Sequence, residues 1–167
     1  MNYFILALSL MFVSTFYSQE KRMKNKNVSQ EIRNYISTNY PTIKKVKFYL
    51  EKQNDSIVIE AEFDYGKDEI SLKFFNNELI EKETELELDE IPQQVGKNIN
   101  NYLTTEYTKH KITECNLVEI PEKKNLYEIY IKGTKNNKSN YYEIYFDELG
   151  NRLKTVEVEV KPIQTLY

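Results

Sequence analysis

The chain has no tryptophan, one cysteine, one histidine, and only four glycines and four prolines among 167 residues. Each scarcity excludes something. A single thiol, Cys115, cannot close an internal disulfide, so the fold must stand on its core even in an oxidising compartment. One histidine and one cysteine fall short of a zinc site, which needs several such ligands. The few glycines form no Gly-rich phosphate loop. With proline equally scarce, flexible-linker, collagen-like and disordered readings lose their compositional basis. Basic residues are not in excess either: 23 Lys and Arg stand against 26 Asp and Glu, a net charge of -3. A nucleic-acid binder ordinarily needs a basic face.

What is present is enough apolar material for a core, 40% of the chain, together with 14 tyrosines and 8 phenylalanines. The apolar residues from Tyr3 to Phe16 form an almost unbroken run, too short for a comfortable membrane span and followed by Tyr17-Ser18-Gln19-Glu20-Lys21-Arg22. This pattern predicts a secretory signal peptide over residues 1–18, cut after Ser18, and a periplasmic or secreted product. The n-region carries no Lys or Arg, and retention as an N-terminal anchor is the alternative. The segment has no cysteine to carry a lipid.

Residues 19–27 read as a charged tether. Asn27, with Gln30 three residues on, reads as a helix N-cap. Val28, Ile32, Tyr35, Ile36 and Tyr40 then trace one helical stripe, which Pro41 ends. Beyond Pro41 the apolar period becomes two. Val46 and Phe48, Ile57 and Ile59, and Ile70 and Leu72 mark three strands, and a fourth runs from Ile80 to Leu88. Asn76-Asn77 suits a two-residue hairpin because Asn tolerates positive φ. The order then recurs. Pro92 opens a second helix with its stripe on Val95, Ile99, Tyr102, Leu103 and Tyr107, and strands follow around Lys111–Ile120, Leu126–Gly133, Tyr141–Phe146 and Arg152–Val160. A repeat of about 65 residues is the strongest organisational signal. It divides the mature chain into copies at 28–89 and 90–160, with a C-terminal tail at 161–167. The fold class expected is α+β: two tandem repeats of one helix packed on a four-stranded antiparallel sheet, with one continuous curved sheet as a variant.

Val28, Ile32, Ile36 and Tyr40-Pro41, followed by Ile43 and Val46, resemble the opening of a PepSY-like domain, a family also described as β-lactamase-inhibitor-like. Ile91-Pro92 with Val95 and Ile99 is similar to the start of that family's second half, and Phe146-Asp147, Gly150 and Leu153 to its closing turn. The chain departs from the pattern where Thr108, not proline, follows Tyr107. The resemblance spans roughly Val28 to Val160. It implies tandem modules in a secreted or periplasmic protein with a binding or inhibitory role toward a protein or peptide partner. No binding residue of such an inhibitor carries over.

Catalytic constellations are thin. His110, between Lys109 and Lys111, is the sole candidate base, and Cys115 lies in an alternating segment beside Leu117, where a small buried residue is the expected reading. No catalytic residue, cofactor or metal is therefore assigned. Glu81, Glu83, Glu85 and Glu87 share one strand face. The preferred reading is a solvated face that discourages edge pairing, and a Ca²⁺ or cationic-partner surface is the alternative. The better lead is aromatic. One helix covers one face of a sheet, so residues alternating with the core point to the other, among them Tyr49, Tyr130, Tyr141 and Tyr145. The function expected is an exported, non-catalytic binding or inhibitory module, with a passive structural or envelope-stress protein as the alternative.

Overall fold

The computed structural model describes residues 21–53 and 56–158. The signal segment, the proposed cut after Ser18 and the C-terminal tail lie outside the described residues. The elements run β1 (Lys21–Met23), α1 (Gln30–Asn39), β2 (Lys47–Gln53), β3 (Ser56–Tyr65), β4 (Asp68–Phe75), β5 (Glu78–Glu85), α2 (Gln93–Glu106), β6 (Lys109–Glu119), β7 (Leu126–Lys135), β8 (Lys138–Phe146) and β9 (Arg152–Val158).

The strands form a single nine-stranded sheet in sequence order, every neighbouring pair antiparallel. This overturns the expected pair of tandem four-stranded modules. The fourth strand of the first group does not end a sheet. β5 pairs with β6, Lys82 opposite Glu119 and Glu85 opposite Asn116, and Leu86 N–H donates to the Cys115 carbonyl at 2.8 Å just beyond. An edge strand presents unpaired N–H and C=O groups, and pairing β5 with β6 removes two edges at once. The tether reading also fails for residues 21–23, because β1 adds to β2 with Arg22 opposite Tyr49.

Both helices pack on one face. Ile32 and Ile36 of α1 are buried with Val28 against Phe48, Ala61, Phe63, Ile70, Leu72 and Phe74. Val95, Ile99 and Leu103 of α2 are buried in a second cluster with Ile129, Ile131, Ile144 and Phe146. Tyr35 and Tyr102 each set a ring edge-on against a Phe near the end of a strand, Phe74 of β4 and Phe146 of β8, at 5.5 Å in both cases. Of the residues expected to face the helices, Ile57 is the exception. It lies at the end of β3 and is 63% exposed. Helix α1 starts two residues later than its sequence suggested. Ser29, not Asn27, is its cap, accepting from Ile32 N–H at 3.2 Å.

Candidate functional site

Alternation along the strands sends every second side chain to the face away from the helices. The register places Tyr49 of β2 beside Glu60 of β3, Glu60 beside Lys73 of β4, and Lys73 beside Glu81 of β5. Further along, Asn116 of β6 lies beside Glu128 of β7, Glu128 beside Tyr145 of β8, and Tyr145 beside Lys154 of β9. All four tyrosines singled out from the sequence stand on this face.

Among the described residues no helix covers it, yet its centre is buried: Glu60, Asn116, Glu128, Glu143 and Tyr145 are all below one-tenth exposed, and Glu143 is 1% exposed. Burial without a covering layer means that the long side chains of neighbouring strands close over one another. Interruptions of register next to Phe74, between Ile112 and Glu114, and next to Phe146 supply the local bends.

The buried groups are mostly acids. Lys73 Nζ donates to Glu81 at 2.8 Å and to Glu83 at 2.6 Å. This corrects the reading of the acidic strand as a solvated face for its first half: the Glu81 and Glu83 side chains are only 19% and 17% exposed, whereas Glu85 and Glu87 are exposed as expected. Ser71 donates to Glu60 at 2.7 Å. The Tyr145 hydroxyl lies 2.5 Å from Glu128 Oε1 and is also hydrogen-bonded to Glu143. Tyr130 donates to Glu128 at 3.3 Å.

Burial, reinforced by Glu83 and Glu143, holds the Glu128 carboxyl well above its ordinary value. Burial likewise pushes Glu83 up to about 8, with Glu81 adding to the rise and Lys73 opposing it. For Glu81 burial is outweighed by Lys73 and the bond from Glu83, and its carboxyl titrates below the ordinary range. Burial disfavours the Lys73 ammonium, but Glu83 and Glu81 outweigh it and hold Lys73 well above the usual lysine value.

The four tyrosines therefore differ in what they offer. Tyr145 is sunk among the carboxyls, and Tyr130 is half-buried above Glu128. Tyr141 is 38% exposed, with Lys132 Nζ 5.6 Å from its ring centre. Tyr49 is half-buried toward the β1 side of the sheet. Sequence reading missed the acids at Glu60, Glu128 and Glu143. Their signal was available in part, as single glutamates set among apolar neighbours at strand positions, but no pattern in the chain distinguishes a buried glutamate from an exposed one.

The remaining candidates lie elsewhere. Cys115 is buried in the α2 core on the opposite face, and burial pushes its thiol up to about 12. His110 opposes Gly133 in the β6–β7 ladder. Among the described residues no group of three or more His, Cys, Asp or Glu is placed to hold a metal ion.

No protein-family model matches the chain, and no curated protein does. Solved structures of Bacteroides proteins share its fold. A protein of Bacteroides eggerthii, provisionally described as periplasmic, aligns with a TM-score of 0.63 at 21% identity over 78% of this chain and 88% of its own. A DUF2874 family protein of Bacteroides ovatus aligns with a TM-score of 0.62 at 18% identity over 77% of this chain and 86% of its own. Another, from Bacteroides uniformis, aligns with a TM-score of 0.64 at 17% identity over 78% of this chain and 89% of its own. At these identities the likeness shows the fold alone.

Proposed function

We propose that this chain is an exported, non-catalytic module that binds a protein or peptide partner through the sheet face opposite its helices. The observation that carries the reading is that face itself: a tyrosine-bearing surface that no helix of the described chain covers. Tyrosine supplies large, rigid contact area with a polar tip and is favoured at interfaces. Export is supported by the apolar run from Tyr3 to Phe16 followed by a polar stretch, and by a structural relative described as periplasmic. Cys115, sunk in the core with its thiol held protonated, has the character of a packing residue and not of a nucleophile. An inhibitory action on a secreted enzyme is the narrower form of the same proposal and rests on the PepSY-like resemblance.

The docking residues are the accessible ones. Tyr141 and Tyr49 are the contacts to remove, because Tyr145 is tied into the buried acids and its loss would damage the fold. Affinity capture from a cell-envelope extract is expected to recover a partner with the wild-type chain and to lose it with a Tyr49→Ala/Tyr141→Ala variant of unchanged thermal melt. Equal recovery by both proteins would sink the surface and favour a passive structural role.

A further inference from the structure

Two groups of carboxyls on this face draw protons that ordinary carboxylates would not carry. A carboxylate has acceptors only, and a tyrosine hydroxyl has one proton to give. The Tyr145 hydroxyl is hydrogen-bonded to both Glu128 and Glu143. It can donate to one of them, so the other bond needs a proton from the carboxyl side. Glu81 and Glu83 converge on a single ammonium, accepting from Lys73 Nζ at 2.8 and 2.6 Å. One cation serves two carboxyls there, so the group stays negative unless the pair takes up a proton.

The charges around these groups offer little relief. From β3, Glu60 faces the cluster. From β5 and β6, Glu85 and Glu114 add to the negative side, and Glu85 is itself held up by burial and by Glu114. Against them stand Lys73 within the cluster, Lys123 acting on Glu81 from the β6–β7 turn, and Lys154 of β9, whose Nζ is 5.8 Å from the Tyr145 ring centre. Tyr130 contributes a hydroxyl and no charge. Lys111 of β6 and Lys132 of β7 stand further along the same face, opposite one another, and of the cations only Lys73 hydrogen-bonds these carboxyls.

We propose that this face is a proton-operated latch: one proton held by the Glu81–Glu83 pair beside Lys73, and one shared among Glu128, Tyr145 and Glu143, keep the side-chain ties from β4 to β5 and from β7 to β8 closed, and their loss sets neighbouring carboxylates against one another and loosens Tyr145. The latch is a property of the fold and does not depend on the face having a partner. Its direction follows from linkage. A carboxyl bound more tightly to its proton in the folded chain stabilises the fold fully at low pH, and that contribution drains away as pH rises through the folded value. For Glu83 the window runs from the ordinary 4.5 to about 8.

The direct test is carbon-13 NMR of the whole chain labelled at the glutamate side-chain carboxyl. Two signals are expected at the protonated position at pH 7, both moving to the carboxylate position only in alkaline solution. A Glu128→Gln variant should lose one, and a Glu83→Gln variant the other. If every glutamate of the wild type has reached the carboxylate position by pH 7, the latch does not exist, whatever the variants do. A second reading is the urea midpoint against pH. The wild-type midpoint should fall as pH rises from the ordinary carboxyl value of 4.5 through about 8, and each variant should flatten that fall. Variants with the wild-type slope would overturn the proposal.

Discussion

Thr84 shows what a single misplaced hydroxyl costs. It sits on the helix side of β5, opposite Ile70 on one strand and Leu117 on the next. Its Oγ1 is the one buried side-chain polar atom without a hydrogen-bond partner among the described residues. An unsatisfied buried hydroxyl forfeits its hydration with nothing in return. Thr84→Val keeps the shape and the β-branched preference while removing the orphan oxygen. It should raise stability by about 1 kcal/mol, read as a higher urea midpoint with an unchanged slope. A fall in the midpoint would show that the hydroxyl is satisfied. At this scale, alternation indicated which face a side chain takes but not how deep it lies. Tyr145 and Glu83 alternate with core residues just as Tyr141 does, yet only Tyr141 is exposed. Depth is set by side chains from other strands, such as Lys73 reaching Glu81 and Glu83, and those pairings are invisible along the chain.

The elements themselves were legible wherever local chemistry decides. Asn76-Asn77 and Asn136-Asn137 take positive φ, between 51° and 69°, as two-residue hairpins demand. The change of apolar period beyond Pro41 does mark where α1 gives way to strands. The start of α1 was misjudged because two polar residues, Asn27 and Ser29, both offer a capping side chain. Asn27 ends a short 3₁₀ turn instead, and Ser29 is the residue with extended backbone and a hydroxyl aimed at Ile32 N–H. The two substitutions separate the cases. Ser29→Ala should cost about 1 kcal/mol, and Asn27→Ala should stay within about 0.5 kcal/mol, both by thermal or urea melting. The reverse ranking would restore the earlier cap. Strand β1 was missed for another reason. Two cations and a methionine have no periodicity to detect, and Lys21–Met23 becomes a strand only because β2 offers an edge.

At the scale of the molecule, what sequence could not provide was the seam. Two apolar clusters, one under each helix, are easily taken for two modules. The join between them is short: β5 and β6 share a register from Lys82–Glu119 to Glu85–Asn116, against Lys109–Thr134 to Val118–Leu126 for β6 and β7. Backbone pairing of this kind carries no side-chain pattern, and it reaches across α2. Two further ties cross the seam. Lys82 bonds Glu119 at 2.5 Å, and the face opposite the helices continues across the join, with Glu85 of β5 standing opposite Asn116 of β6. If these ties suffice, a wound to one core is felt by the whole sheet. Leu103 is fully buried in the α2 cluster, and Leu103→Ala should cost about 2–5 kcal/mol through lost burial and a residual cavity. Unfolding in urea should then remain one transition, displaced as a whole, when followed both by strand signal and by amide exchange of β3 and β4. An early transition confined to β6–β9, with β3 and β4 still protected at the wild-type midpoint, would mean that four paired residues and one ion pair are too little to make the two cores one folding unit.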